Sequence, residues 1–210
     1  LIVYVASVLQ GNLGYSYFYS QTVFSLVMGR LSATLLLMVT QLFFSSVVGL
    51  VAGAVASKKP NSLTDNFVTT SSLAWYSVPV FWSGQMLLLL FAMQLGWFPV
   101  QGMVSVREEL TGAAHVLDLL HHLILPALCL GLWNLALTTR LTRASMLEAL
   151  GQDFIITAKA KGLGENAIIF RHALRNALLP VVTVIGMSAG YMFAGSILVE
   201  TVFGWPGIGR

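Results

Sequence analysis

Four stretches of this chain carry no Asp, Glu, Lys or Arg and are long enough to cross a bilayer: 31–57, 66–106, 119–139 and 177–199. A crossing helix needs about 20 apolar residues, and a charge at the bilayer centre would cost it about 2.5–3.5 kcal/mol. The pattern predicts four spans, over 29–57, 66–95, 122–143 and 178–202, joined by polar turns. Residues 1–28 start apolar, then turn Gly- and Tyr-rich (GNLGYSYFYS). They read as an interfacial helix and loop on the outer side, where Tyr suits the headgroup level. SKKPNSLTDN reads as a tight turn with Pro60 and Asn61 as breakers. The second half of MVSVREELTGAAHVLDLL reads as a surface helix.

Finer patterning sits inside the spans. Gly49 and Gly53 are four apart in the first, a spacing that lets another helix approach closely. The second carries Pro79 and Gln85, the third Pro126 and Asn134. Proline is tolerated there where neighbours re-satisfy the freed carbonyl. The fourth is rich in small residues, and Gly186, Gly190 and Ala194 recur every four positions, leaving one face nearly flat. Such a face serves either ordinary helix packing or the lining of a solute path.

Composition agrees with the bilayer as solvent. Only 9% of residues are charged, against about 25% in soluble domains, and mean hydropathy is +0.82. A soluble core of this kind would have almost no polar surface. Charge placement sets the orientation. Lys58, Lys59, Arg140, Arg143, Lys159, Lys161, Arg171 and Arg175, eight of the eleven cations, fall on one side of an alternating path. Arg30, Arg107 and Arg210 fall on the other. The positive-inside rule then places the 58–65 turn and the 140–176 loop in the cytoplasm, and the 94–118 loop and both chain ends outside. The loop's cations are spaced by apolar residues, which argues against nucleic acid as a partner. Cys129 is alone, so no disulfide framework exists. The chain has no initiator Met and stops after GWPGIGR, and so reads as a piece of a longer protein.

The segment 148–180, EALGQDFIITAKAKGLGENAIIFRHALRNALLP, carries the mechanism. Phe154, Ile155, Ala158 and Leu163 alternate with cations, and Ile168, Ile169, Ala173 and Leu174 repeat at helical spacing. Gly162 and Gly164 break the segment into two short helices. Asp153 near the start of the first, and Lys159 and Lys161 near its end, match the helix dipole. Small residues at Ala158 and Ala160 suit a helix that enters a cleft on another protein. A helix merely resting on lipid is the plainer alternative.

LTRASMLEALGQDFIITAKAKGLGENAIIFRHALRNALLPVVT resembles the conserved loop of the dipeptide, oligopeptide and nickel branch of ABC importer permeases. VETVFGWPGIGR (199–210), GNLGYS (11–16) and RLSATLLL (30–37) resemble the same branch in matching order. The resemblance implies an all-α membrane protein, a type I ABC importer transmembrane domain of which helices two to five of six are present. It implies a coupling loop over 149–176, formed by Asp153, Thr157, Ala158, Lys159, Ala160, Lys161, Gly162 and Leu163. Ala158 and Gly162 then hold the small-residue positions, and Leu179-Pro180 closes the loop. Where the wider superfamily opens this loop with Glu-Ala-Ala, this chain has Ile156-Thr157-Ala158 or Thr157-Ala158-Lys159, a departure usual in the peptide branch.

The implied function is the permease subunit of an importer of short peptides, nickel or related solutes in the cytoplasmic membrane of a bacterium or archaeon. Implied partners are two ATPase subunits, a second homologous permease subunit making a heterodimer, an extracytoplasmic solute-binding protein and the lipid bilayer. No cofactor is expected on this chain; ATP and Mg belong to the ATPases.

Two rivals are weaker. An enzyme binding phosphate needs a GxxxxGK[ST] loop, and none occurs. His121 and His122 are adjacent, so on a helix they point about 100° apart; His115 and His172 lie on opposite sides of the membrane. Glu148 and Glu200 sit at span ends, where a carboxylate costs little. An ion-coupled secondary transporter would carry ionisable residues inside its spans. These hold only Gln41, Gln85, Asn134 and hydroxyls. Candidates for the solute path are Gln85, Asn134 and the small face around Gly190.

Overall fold

The computed structural model describes residues 7, 8, 10–105 and 110–210. The interfacial helix expected at the very start, the position of Arg107 and the side chain of Ala194 lie outside the described residues. A two-stranded antiparallel hairpin, β1 (Tyr15–Ser16) and β2 (Gln21–Thr22), precedes the first helix. At its tip Tyr17 and Phe18 are 90% and 87% exposed. Helix α1 (Val23–Ser57) starts six residues before the expected 29. The reason is a cap: Thr22 Oγ1 accepts the Ser25 N–H at 3.3 Å, and the apolar run VFSLVM extends the helix from there.

After the turn at Pro60 and Asn61, α2 (Leu63–Ser77) begins at its N-cap Ser62 and is followed by α3 (Val80–Leu87), which continues as a π-helical segment, Leu88–Gln94. The expected single span over 66–95 is broken. The two halves are bent by 106° at Val78-Pro79, because a residue before proline is pushed out of the helical region, and Val78 has ψ 128. Pro126 and Pro180, by contrast, remain inside continuous helices.

Helix α4 (Ala113–Leu150) absorbs the surface helix expected after the outer loop. Its 38 residues make a rod of about 57 Å, nearly twice the hydrocarbon thickness. The short α5 (Asp153–Ala160) follows. Then α6 (Glu165–Ala167), a π-helical segment (Ile168–Ala173) and α7 (Leu174–Val202) run on without a break. The second of the two short helices expected in the cytoplasmic loop is therefore the foot of the last span. Among the described residues, three helical stretches are long and apolar enough to cross a membrane, or four if the bent pair α2–α3 is counted as one span.

Helices α1 and α4 form the spine. Gly49 and Gly53 face α4 so closely that a Cβ on Gly53 would lie 2.6 Å from the Thr139 carbonyl oxygen. The GxxxG spacing thus does bring two backbones together. Apolar packing is concentrated at the two ends of the bundle. In the orientation expected from the charges, an outer cluster joins Leu37, Leu123, Leu125, Val199, Phe203 and Trp205, and an inner one joins Ala54, Met146, Ile155, Ile168, Ile169 and Ala173. Between them the seam is polar: Gln41 and Ser45 of α1 against Asn134 and Thr138 of α4, all buried.

The chain end folds back over the outer cluster, and here Glu200 departs from expectation. It is fully buried, accepting hydrogen bonds from Thr34 Oγ1 (2.7 Å) and the Gly209 N–H (2.7 Å). Thr34 Oγ1 in turn accepts the Ile208 N–H, and Trp205 Nε1 donates to the Ala33 carbonyl. Gly207 and Gly209 leave space for this: a Cβ on Gly207 would sit 2.3 Å from the Glu200 carboxyl carbon. The returning loop supplies donors that replace water, which is how a carboxylate is kept inside.

Candidate functional site

At the basic end, α5 lies across the foot of the bundle. Positions three apart share a helix face, so Ile155 and Ala158 both turn inward into the inner cluster, 1% and 5% exposed. Asp153, Thr157, Lys159, Ala160, Lys161, Gly162 and Leu163 are exposed, and Ile156 is 64% exposed. Of the two small residues expected to meet a partner, Ala158 is therefore spent on the chain's own core, and Ala160 is the one presented outward. The helix ends in a left-handed turn: Gly162 has φ +76, its N–H donates to Lys159 O, and the Leu163 N–H donates to Ala158 O.

The neighbouring loop is tied to this platform. Lys58 Nζ donates to Asn166 Oδ1 at 3.0 Å and lies 5.1 Å from the centre of the Phe170 ring. Beneath α5 a cavity of about 560 Å³ opens between Lys58, Leu150, Lys159, Glu165 and Ile168. A second clamp joins α4 to the inner foot of α2, just before the charge-free stretch. Arg143 grips Asp65 with two nitrogens, Nε to Oδ1 and Nη2 to Oδ2, the latter at 2.6 Å. The Asn61 N–H and the Thr69 hydroxyl also donate to Asp65, which is 1% exposed. Nothing in the sequence pattern pointed to the Arg143–Asp65 pair, since the two residues are 78 positions apart.

Halfway along the bundle a pocket of about 240 Å³ lies between α1, α4 and α7, with Val80 of α3 at its edge. Asn134 lines it, together with Gln41, which sequence reasoning noted as polar but did not select. Gln85 does not reach it. It is exposed on α3, carried aside by the bend at Pro79. Gly190 is also exposed, with nothing within 4 Å of where a Cβ would stand. The three expected path residues are thus separate, and of them Asn134 alone lines this pocket.

On the outer side, His121 Nε2 lies 2.7 Å from the Trp97 carbonyl, and His122 Nδ1 lies 2.8 Å from the Asp118 carbonyl. Asp118 accepts both the N–H and the hydroxyl of Ser105. These contacts pin the outer loop to α4. Among the described residues, no three His, Cys, Asp or Glu side chains come together to hold a metal ion.

Comparison with known proteins sets this geometry in context. The profile of the family described as binding-protein-dependent transport system inner membrane component matches residues 45–210. The di/tripeptide transport system permease protein DppB of Pseudomonas aeruginosa is 43% identical over 99% of this chain and 66% of its own length. The oligopeptide transport system permease protein AppB of Bacillus subtilis is 39% identical over 99% of this chain and 65% of its own. The dipeptide transport system permease protein DppB of Escherichia coli is 42% identical, with 99% and 66% covered. The chain therefore spans just under two thirds of the length of these relatives.

Proposed function

The chain belongs to the family of binding-protein-dependent transport system inner-membrane components, and we propose that it is the permease subunit of an ATP-driven importer of short peptides. The observation that carries this reading is α5: a short helix anchored by Ile155 and Ala158, offering Ile156, Lys159, Ala160 and Lys161 to the cytoplasm. Such an arrangement suits a surface that another protein pushes. Its rear packs on Ile168, Ile169 and Ala173, so displacement of α5 passes into the foot of α7.

In this proposal two ATPase subunits, which carry ATP and Mg, seat α5 in a cleft and drive it when they close. A second homologous permease subunit stands beside this one, making a heterodimer. An extracytoplasmic solute-binding protein delivers cargo to the outer mouth, and the assembly sits in the bacterial cytoplasmic membrane. The chain itself performs no catalysis. Peptides are favoured as cargo because the relatives' names state peptides; the relatives compared are bacterial, and nothing in them supports an archaeal host.

The test is reconstitution of the full-length protein with its ATPases, partner permease and binding protein in proteoliposomes. Dipeptide uptake that requires ATP inside the cytoplasmic compartment is expected. Uptake that persists without the ATPases on an ion gradient alone would refute the proposal. Cysteines at Ile156 or Ala160 should crosslink to an ATPase subunit, and crosslinking of neither would remove α5 from the interface.

A further inference from the structure

Between α2 and α4 a pocket of about 470 Å³ is lined by Thr69 and Tyr76 of the first helix and by Leu137, Arg140, Leu141 and Ala144 of the second, with Arg143 at its edge. Arg140 is the first charge after the charge-free stretch 119–139, and the middle of that stretch is residue 129. With residue 129 at mid-membrane and a rise of 1.5 Å per residue, Leu137 stands about 12 Å and Ala144 about 22 Å from the centre. The hydrocarbon ends about 15 Å from the centre and the headgroup layer about 20–22 Å from it. The pocket therefore crosses the boundary between acyl chains and headgroups. In the orientation expected from the charges, that boundary belongs to the inner leaflet.

Its two arginines are in different electrical states. Arg143 is cancelled by Asp65, which also takes the Thr69 hydroxyl. Arg140 is exposed, and among the described residues no carboxylate pairs with its guanidinium and no hydrogen bond reaches it. What positions it is an aromatic stack. Arg140 Cζ lies 5.6 Å from the centre of the Tyr76 ring, and that ring is stacked on Trp133 at 5.4 Å and 21°. The N–H donors of a guanidinium lie in its plane, so a ring contact does not use them. The pocket thus holds one uncancelled positive charge, with unused donors on a side chain that is already placed.

We propose that this pocket seats an anionic phospholipid of the inner leaflet, its phosphate on the Arg140 guanidinium and the start of an acyl chain along Leu137 and Leu141. Three observations select this occupant. The depth is that of lipid headgroups, and basic pockets between membrane helices on the cytoplasmic side suit anionic ones. Half-buried Leu137 and Leu141 give an apolar wall from which a soluble anion gains nothing. A zwitterionic headgroup would bring its own cation, and no carboxylate lines the pocket to receive it. Asp65 does not repel the phosphate, because it is buried and paired. So placed, the lipid links α2 to α4 alongside the Arg143–Asp65 clamp. The inference needs the bilayer and the orientation, and is independent of the cargo.

The test uses the full-length protein in detergent, melted while it is titrated with phosphatidylglycerol or phosphatidylcholine, with retained lipid counted by native mass spectrometry. Phosphatidylglycerol should raise Tm and phosphatidylcholine should not. Arg140→Gln should raise the half-saturating phosphatidylglycerol concentration about fivefold or more and lose a retained lipid. Without lipid it should melt close to the unaltered protein, since no ion pair is removed. Ala144→Trp, at an exposed position, fills the pocket while keeping the charge and should weaken phosphatidylglycerol likewise; it carries the test if Arg140→Gln fails to fold. Lys59→Gln removes another exposed cation and should leave the titration unchanged. Equal stabilisation by both lipids, an unchanged titration in Arg140→Gln or Ala144→Trp, or equal weakening by Lys59→Gln overturns the site. So does protection by inorganic phosphate or alanylalanine that Arg140→Gln abolishes, which would assign the pocket to a soluble anion.

Discussion

Gly53→Ala places one methyl group at the tightest point between α1 and α4. A Cβ there would lie 2.6 Å from the Thr139 carbonyl oxygen, 2.6 Å from Thr142 Cβ and 3.0 Å from the Arg143 nitrogen. Ordinary contact is about 3.5–4.0 Å, so the helices must part by about 1 Å. Two of the three atoms are backbone and cannot swing aside. Overpacking of this kind costs about 1–3 kcal/mol, and the better helix propensity of Ala returns up to about 1 kcal/mol. The net loss is then about 1–2 kcal/mol, a fall in Tm of roughly 2–8 °C for a chain of this size. Gly49→Ala meets mainly the Thr138 side chain, at 2.9 Å, and should lose less. Gly190→Ala meets nothing and should lose none. Thermal unfolding in detergent, followed by tryptophan fluorescence or aggregation, gives the three values. If Gly53→Ala melts no lower than Gly190→Ala, the spine is not a backbone-level contact and the reasoning fails.

Further outcomes follow from the same contacts. Arg143→Met leaves a buried Asp65 carboxylate unpaired and should destabilise the protein by about 3 kcal/mol or more, with part regained in the Asp65→Ala/Arg143→Met double variant, read as Tm. Glu200→Ala frees the Thr34 hydroxyl and the Gly209 N–H and should lower stability by about 1–3 kcal/mol; an unchanged melt would show the clasp to be dispensable. Gly162→Trp forces φ +76 on a bulky residue at about 1–2 kcal/mol. The protein should still insert and assemble, while ATP hydrolysed per peptide imported rises several-fold; normal stoichiometry would exclude the loop from coupling.

That the chain is a bundle of long apolar helices was legible because a run free of charge is a one-dimensional signal. A close helix approach at Gly49 and Gly53 was legible for the same reason, since a helix turns i and i+4 onto one face, but not that α4 is the partner. What depended on chain reversal was not. Glu200 looked inexpensive at a span end, and only the return of Trp205–Gly209 across Thr34 shows why it is buried. The one hint was a pair of glycines, Gly207 and Gly209, close behind a carboxylate. Pro79 was read as tolerable and instead breaks its span, while Pro126 and Pro180 do not; sequence alone ranks the three equally. Ala158 was chosen by family position, and helical phase then turned it inward. Of the pocket between α1, α4 and α7, Asn134 could be named from its polarity, but its partner Ser45 comes from α1, and Gln41 stands out only beside it.

One consequence lies in the unbroken run from Glu165 to Val202. Its lower end is wedged under α5 through Ile168 and Ile169, and its upper end is bolted to α1 by Glu200 and Thr34. A helix wedged below and bolted above in this way resists sliding along its neighbours, so on the importer reading proposed above a push at α5 would tilt it about the Glu200–Thr34 contact rather than shift it along its axis.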